Sequence, residues 1–234
     1  MNLQGRDFVV GDIHGMYSHL ERLLQKIQFN PKLDRLFSVG DLVDRGDSSK
    51  AALTWLNYPW FFACRGNHDQ MVLDAENPLE LQHWIKENGG EWWLDLTPTE
   101  RREFQLKFSQ LPYAIDVKTH TGLVGIIHAD VPAQMTWEEL CAELDAENQD
   151  LANFVIWSRN RLMGQSPTHP VAGKVNRVYC GHTPVYDATQ LDNIHYIDTG
   201  AAYVYSGFEG AKLTIIEIHP RKHHEYTIAT KQGK

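Results

Sequence analysis

Cysteine is scarce in this chain. Its three thiols, Cys64, Cys141 and Cys180, are odd in number and show no CxxC spacing. That excludes a cysteine-built zinc site, and reduced thiols of a cytoplasmic protein are expected. Long apolar runs are missing as well. None approaches the roughly 18 residues a membrane span needs, so no membrane partner is expected. Positive charge is short: 22 Lys and Arg stand against 30 Asp and Glu, a net charge of -8. There is no broad basic surface to grip nucleic acid, and no nucleic-acid partner is expected. The opening residues, Met1 to Asp7, lack a leader's apolar segment, in keeping with a cytoplasmic location. No internal repeat or low-complexity linker breaks the chain. The 42% hydrophobic and 22% charged content over 234 residues suits one globular domain over 1–234. Its core is expected in about 8–218, ahead of a polar, frayed tail over 219–234 in which His223 and His224 are solvated.

What is present is a repeated pattern of strand, polar turn and helix. Phe8-Val9-Val10 runs into Gly11-Asp12-Ile13-His14-Gly15, and Leu20, Leu23, Leu24 and Ile27 then recur at helical spacing, with Asn30-Pro31 as the stop. In extended chain, Asp12 and His14 leave the same face. Leu36-Phe37-Ser38-Val39 closes in Gly40-Asp41-Leu42-Val43-Asp44-Arg45-Gly46, followed by a helix from an N-cap at Ser48 to Leu56. Trp60 to Cys64 reads as a third buried strand, closing in Arg65-Gly66-Asn67-His68-Asp69 before a helix over Gln70 to Asp74. This alternation predicts an α/β fold with a largely parallel arrangement, its site outside the carboxyl ends of the strands.

Asn77 to Pro112 reads as helical, with Trp84, Trp92 and Trp93 as an aromatic core or flank and a helix start at Thr97-Pro98-Thr99-Glu100. Ala114 to Val117 pairs with Leu123 to Ile127 across His120-Thr121-Gly122, and the second strand ends in His128-Ala129-Asp130. Thr136 to Glu147 is an acidic helix with a solvated face. Val175 to Cys180 ends in Gly181-His182-Thr183-Pro184, and 195–200 and 211–218 supply the last strands.

Metal-capable residues thus cluster at the ends of five apolar strands. Asp12, His14, Asp41, Asn67, His128 and His182 offer two carboxylates, one amide oxygen and three imidazoles. That set suits two ions sharing one carboxylate. Mixed oxygen and nitrogen donors favour divalent first-row metals, manganese foremost with iron or zinc as alternatives, over calcium. Two such ions about 3.5–4 Å apart can hold a hydroxide and clamp both ends of an in-line displacement.

GDIHG, GDLVDRG, RGNHD, a strand-terminal HAD and GHTP, in this order, resemble the phosphoprotein phosphatase family of calcineurin-like metallophosphoesterases. The resemblance runs from about Phe8 to Gly200. It implies a two-sheet α/β sandwich flanked by helices, and hydrolysis of phosphomonoesters, phosphoserine and phosphothreonine in proteins, by direct attack of a metal-bridging water. It implies that Asp12 and His14 bind one metal, that Asp41 bridges, and that Asn67, His128 and His182 bind the other. It makes His68 the general acid, oriented by Asp44, and Arg45 and Arg159 the phosphate clamp. Arg65 is a weaker clamp candidate, Arg161 is structural, and Asp130 orients His128. One departure stands out: Asp69 follows Asn67-His68 where protein phosphatases of the family usually carry Glu. Asp there resembles the diadenosine tetraphosphate hydrolases, which usually lack the equivalent of Asp44. Dinucleoside polyphosphate hydrolysis is therefore the alternative activity, and a non-catalytic metal-dependent binding module the alternative class.

Overall fold

Every side chain of β1 (Asp7–Val10) is buried, as an apolar strand covered on both faces requires. Phe8 and Val10 turn to a helical layer and Val9 to a second sheet. The computed structural model describes residues 1–230. β1 sits centrally in a sheet with β2 (Arg35–Ser38), β3 (Phe61–Ala63), β9 (Lys212–His219) and β10 (His224–Ala229), in the order β10-β9-β1-β2-β3. β1, β2 and β3 run parallel, and β9 lies antiparallel to β1. A second sheet holds β4 (Ala114–Thr119), β5 (Gly122–Ile127), β6 (Val175–Cys180), β7 (Thr189–Leu191) and β8 (Ile194–Tyr196), in the order β4-β5-β6-β8-β7. Its β5, β6 and β8 are mutually parallel.

The sheets face one another across Val9, Phe37, Val124, Ile126, Tyr179 and Ile216. Outside the first sheet lie α1 (Tyr17–Lys26), the short α2 (Ala52–Trp55), α3 (Asn67–Asp74), α4 (Pro78–Glu87) and α5 (Pro98–Ser109). They bury Leu20, Leu23, Trp84 and Phe104 against Phe8 and Leu36. Outside the second lie α6 (Trp137–Asp145) and α7 (Gln149–Trp157), with Trp137, Leu140 and Val155 against Ile127 and Val178. The result is the helix-flanked two-sheet α/β sandwich. Its six parallel strands send their carboxyl-terminal loops to one shared edge.

Local signals account for much of this. α5 begins at the expected start, and there Thr97 caps the Glu100 amide and Glu100 caps the Thr97 amide, an arrangement worth about 1 kcal/mol. α6 opens on the same device, Thr136 with Glu139, and its acidic face is solvated while Trp137 and Leu140 are buried.

Four expectations are corrected. α1 ends at Lys26, ahead of Asn30-Pro31. Ser48 makes no capping bond; its hydroxyl donates to Asp47 instead. β3 is an edge strand, so Phe62 is half-exposed and stacks on Phe37. The tail is not frayed where it is described: β10 pairs with β9 from His224 to Ala229, and Tyr226 and Ile228 pack on the first core. Those two apolar residues alternate with Glu225 and Thr227, the period of a half-buried strand. His223 and His224 are exposed, as expected, although the His223 ring also lies against Tyr179. The last four residues of the expected tail, 231–234, lie outside the described residues.

Candidate metal and active site

The loops after β1, β2, β3, β5 and β6 meet at one edge, and they meet under strain. His14, Asp41, Asp44, Arg45 and His182 all have positive φ, between 43° and 74°. Non-glycine residues hold that region only where the surroundings over-determine it, and such residues concentrate at functional sites. Two glycines let the loops close. A Cβ on Gly66 would lie 2.2 Å from Asp41 Oδ1, and one on Gly181 would lie 1.8 Å from Asp12 Oδ1.

Six residues expected to be metal donors converge here, all buried. Asp41 is central. Its Oδ2 lies 3.3 Å from His14 Nε2 and its Oδ1 lies 3.4 Å from His128 Nε2, so each oxygen serves a different imidazole. Asn67 Oδ1 lies 3.0 Å from His128 Nε2 and 2.8 Å from His182 Nδ1. Asp12 receives the His182 amide at 3.2 and 3.0 Å. Each of the three imidazoles donates its other nitrogen to a backbone carbonyl. His14 Nδ1 donates to Val43 at 2.8 Å, His128 Nδ1 to Val39 at 2.9 Å, and His182 Nε2 to Trp157 at 3.1 Å. That fixes each ring and turns its remaining lone pair towards the cluster, the habit of metal-ligating histidines. Potential ligand atoms of His14, Asp41 and His68 lie within 4.8 Å of one another, as do those of Asp41, His128 and His182.

Electrostatics fit cations at this place. Burial, with Asp198 and Asp41 beside it, pushes Asp12 well above the usual carboxylate range. Burial and the Arg45 guanidinium push His14 well below the ordinary imidazole value. Burial also lowers His128, and lowers His182 to about 2. Neutral imidazoles and crowded carboxylates are the donor forms that divalent ions bind, and such ions invert the local penalty on the carboxylates.

Beside this cluster, His68 Nδ1 donates to Asp44 Oδ2 at 2.6 Å. Asp44 is fully buried and is held from the far side by two indoles. Trp84 Nε1 donates to its Oδ2 and Trp92 Nε1 to its Oδ1, both at 2.6 Å. The tryptophans read from the sequence as packing are that, and they are also the carboxylate's clamp. No sequence signal separates the two roles, because an indole N–H is invisible in an apolar pattern. Arg45 spans the rings: Nη1 donates to His14 Nε2 at 2.7 Å and Nη2 to His68 Nε2 at 2.9 Å. Its guanidinium also lies 5.2 Å over the Tyr203 ring. Arg159 reaches the opposite rim, where Nη1 donates to the His182 carbonyl at 3.1 Å and to Thr183 Oγ1 at 3.0 Å. A cavity of about 470 Å³ opens beside Arg45, lined by Glu87, Trp92, Tyr203 and Tyr205 among others.

Several expected roles change. Asp130 does not touch His128, whose Nδ1 is taken by Val39; it receives the Arg161 amide and Nε and so anchors that buried arginine. Arg161 is structural, as expected. Arg65, the weaker clamp candidate, is taken up by protein groups: it donates to Gln70, the Tyr113 hydroxyl and the Ser109 carbonyl. Asp69 faces away from the cavity and receives the amides of Asp41 (2.9 Å), Leu42 (2.9 Å) and Gly66 (2.8 Å). It fastens the Asp41 loop to the start of α3. Asp198, after β8, was not singled out by the sequence. It is buried beside Asp12, and burial together with Asp41 raises it to about 6. A lone aspartate before Thr199-Gly200 reads as an ordinary turn residue.

Comparison with known proteins gives this arrangement its kin. The chain is 36% identical to serine/threonine-protein phosphatase 1 of Salmonella typhimurium, over 90% of this chain and 91% of that protein. It is 45% identical to the symmetrical bis(5'-nucleosyl)-tetraphosphatase of Shewanella frigidimarina, but over only 32% of this chain and 29% of that protein. A solved serine/threonine phosphatase from Saccharomyces cerevisiae, 18% identical, shares the fold with a TM-score of 0.63, covering 99% of this chain and 82% of that one. Residues 8–207 match the calcineurin-like phosphoesterase family, and the chain, a phosphoester hydrolase by kinship and by its metal-capable edge, belongs to it.

Proposed function

We propose that this protein is a dinuclear metal-dependent phosphatase acting on phosphoserine and phosphothreonine in proteins. The observation that carries the metal reading is the division of Asp41, one oxygen to His14 and the other to His128. A carboxylate so placed is built to be shared. Asp12, His14 and Asp41 would hold one first-row ion, and Asp41, Asn67, His128 and His182 the other, manganese being the first to test. Bound there, the pair would polarise the phosphoryl oxygens and supply an activated water.

The chain's own residues do the rest. Arg45 and Arg159 stand on either side of the cluster, and both guanidinium groups suit two-point contact with phosphate oxygens. Turning Arg45 onto the phosphate releases His14 Nε2 and His68 Nε2 from it. The freed Nε2 can then take a proton from solvent, making the ring an imidazolium that hands this proton to the departing serine or threonine oxygen, while Asp44 keeps the ring aimed. The acid and the clamp already lie 2.9 Å apart, which makes leaving group and phosphate adjacent.

Support for a protein substrate comes from the near full-length likeness to a serine/threonine-protein phosphatase. A second reading, cleavage of dinucleoside polyphosphates, draws on the partial likeness to the tetraphosphatase and on the Trp92, Tyr203 and Tyr205 rings beside Arg45, where a base could stack. The deciding experiment strips the protein with chelator, restores Mn²⁺, Fe²⁺, Zn²⁺ or Mg²⁺, and assays a phosphoserine peptide beside diadenosine tetraphosphate. Peptide turnover that vanishes on stripping and returns with metal is expected. Undiminished turnover after stripping overturns the metal reading, and turnover of the dinucleotide alone overturns the protein substrate.

A further inference from the structure

The molecule buries two arginines, Arg161 in the turn after α7 and Arg177 on β6, and treats them differently. Arg161 is fully matched: Nε donates to Asp130 at 3.1 Å, Nη1 to the His169 carbonyl at 2.8 Å and Nη2 to the Val131 carbonyl at 3.1 Å. Arg177, on β6, is 5% exposed; its Nη2 donates to Thr121 Oγ1 at 2.7 Å, and the Tyr179 hydroxyl lies beside the guanidinium. Among the described residues, its Nε and Nη1 have no acceptor and no carboxylate pairs with it. A buried guanidinium left this way is strongly penalised unless something negative joins it.

The surroundings supply a place for that partner. Arg177 lines a cavity of about 370 Å³ together with His195, His223, Lys222, Asn176 and Asp192. His195 is 7% exposed, and its Nε2 likewise has no partner among the described residues. The Tyr179 hydroxyl beside the guanidinium is engaged with His223 Nδ1 at 2.9 Å, and the Tyr179, His195 and His223 rings form a stack. Two positive charges, the buried Arg177 and the exposed Lys222, thus stand against one carboxylate, Asp192. The cavity shares no residue with the metal cluster. Arg177 precedes His182 by five positions, about 16 Å of extended strand.

We infer that this cavity is a second anion site, taking inorganic phosphate or a phosphate monoester on Arg177, His195 and Lys222. The guanidinium offers the paired N–H groups that phosphate oxygens accept, and Lys222 adds a mobile ammonium at the exposed rim. Free phosphate is the product of the activity proposed above, whereas an ester would come from elsewhere. The site itself rests on Arg177 and does not depend on that activity.

Equilibrium dialysis of the metal-loaded protein against inorganic phosphate tests the site. Two phosphates per chain are expected in the wild type and one, at the metal edge, in Arg177→Met. Because the guanidinium lacks partners, Arg177→Met should keep or raise Tm in phosphate-free buffer and leave kcat unchanged. Lys222→Ala, at an exposed position that folding does not need, should weaken the second phosphate about tenfold. Methylphosphonate, which has no ester oxygen to lose, separates the sources. Its binding at the second site alongside phosphate means monoesters are admitted, and its exclusion limits the site to free phosphate. Equal stoichiometry and affinity in the wild type and both variants overturns the inference. So does a Tm that falls by several degrees in Arg177→Met without phosphate, since it would make the arginine a structural member.

Discussion

The two walls of the metal-capable edge are built on different principles. One wall is loop: Asp12, His14, Asp41, Asn67, His128 and His182 hang from strand ends, and backbone carbonyls and left-handed backbone set their aim. The other wall is helix and tryptophan. Trp84 on α4 and Trp92 in the turn after it bury their rings in the first core and present their N–H groups to Asp44. The loop wall gathers metal-capable donors; the tryptophan wall aims the Asp44–His68 pair, the acid in the function proposed above. The difference teaches that a polar group can be positioned by residues whose bulk belongs to the core, so that packing and the aiming of a buried carboxylate share the same side chains.

Severing His68 from this arrangement is the largest test. His68→Asn leaves all six proposed metal donors in place and removes the atom that would carry the proton. We expect kcat on a phosphoserine peptide to fall by roughly 10²–10⁴-fold with metal content unchanged. An unaffected kcat would take the tryptophan wall out of catalysis altogether.

The second test asks whether that wall does more than pack. Trp84→Phe keeps an aromatic ring and deletes the donor to Asp44 Oδ2, the oxygen that His68 also uses. A hydrogen bond to a charged group is worth about 1.5–3 kcal/mol, so kcat should fall by roughly 10–100-fold, with KM little changed. Trp92→Phe acts on the other oxygen from a more exposed position, and a smaller loss is expected. If Trp84→Phe lowers Tm but spares kcat, the indoles are packing only and the contrast between the walls disappears.

This contrast also marks what the sequence could reveal. The strand, turn and helix alternation and the Gly-bracketed Asp, Asn and His clusters were legible because each residue type carries its chemistry openly. The alternation gave only an α/β fold with parallel strands; the two-sheet sandwich came through the family those motifs resemble. The tryptophan clamp was not legible, since Trp84 and Trp92 satisfy an apolar pattern whether or not their nitrogens have work. Asp130 misled for a related reason: its place two residues after His128 suggested contact, yet in a strand-to-loop transition its side chain finds Arg161. The last strand was missed because His219 to His224 is polar, and only Tyr226 and Ile228 betray its buried face.

Asp198 offers a test inside the loop wall. Its carboxyl is raised to about 6 by burial and by Asp41, above the ordinary 3.8. The folded state therefore binds more protons than the unfolded between those values. The stabilisation from this group is full below pH 3.8 and is lost as pH rises through about 6. Asn does not titrate. Unfolding the chelated protein at pH 4 and at pH 6.5 should show Asp198→Asn gaining on the wild type by about 2 kcal/mol across the interval. Parallel stabilities would mean that carboxylate crowding at this edge is already relieved without metal.

The smallest effect is expected at Asp69, the position where the motif departs from the usual phosphatase pattern. If its side chain read the substrate, it would face the cavity beside Arg45. Instead its two oxygens are occupied by three backbone amides, and two of those amides belong to the loop that carries Asp41. It acts as a fastener of the loop wall, one step behind the proposed metal donors. Lengthening it in Asp69→Glu should disturb that loop, and so lower turnover of a phosphoserine peptide and of diadenosine tetraphosphate together. Their ratio should change by less than about tenfold, or 1.4 kcal/mol of differential transition-state binding. A larger swing towards either substrate would show that the loop fastened by Asp69 shapes substrate choice from behind, and that the loop wall, like the tryptophan wall, does its aiming through residues the substrate never meets.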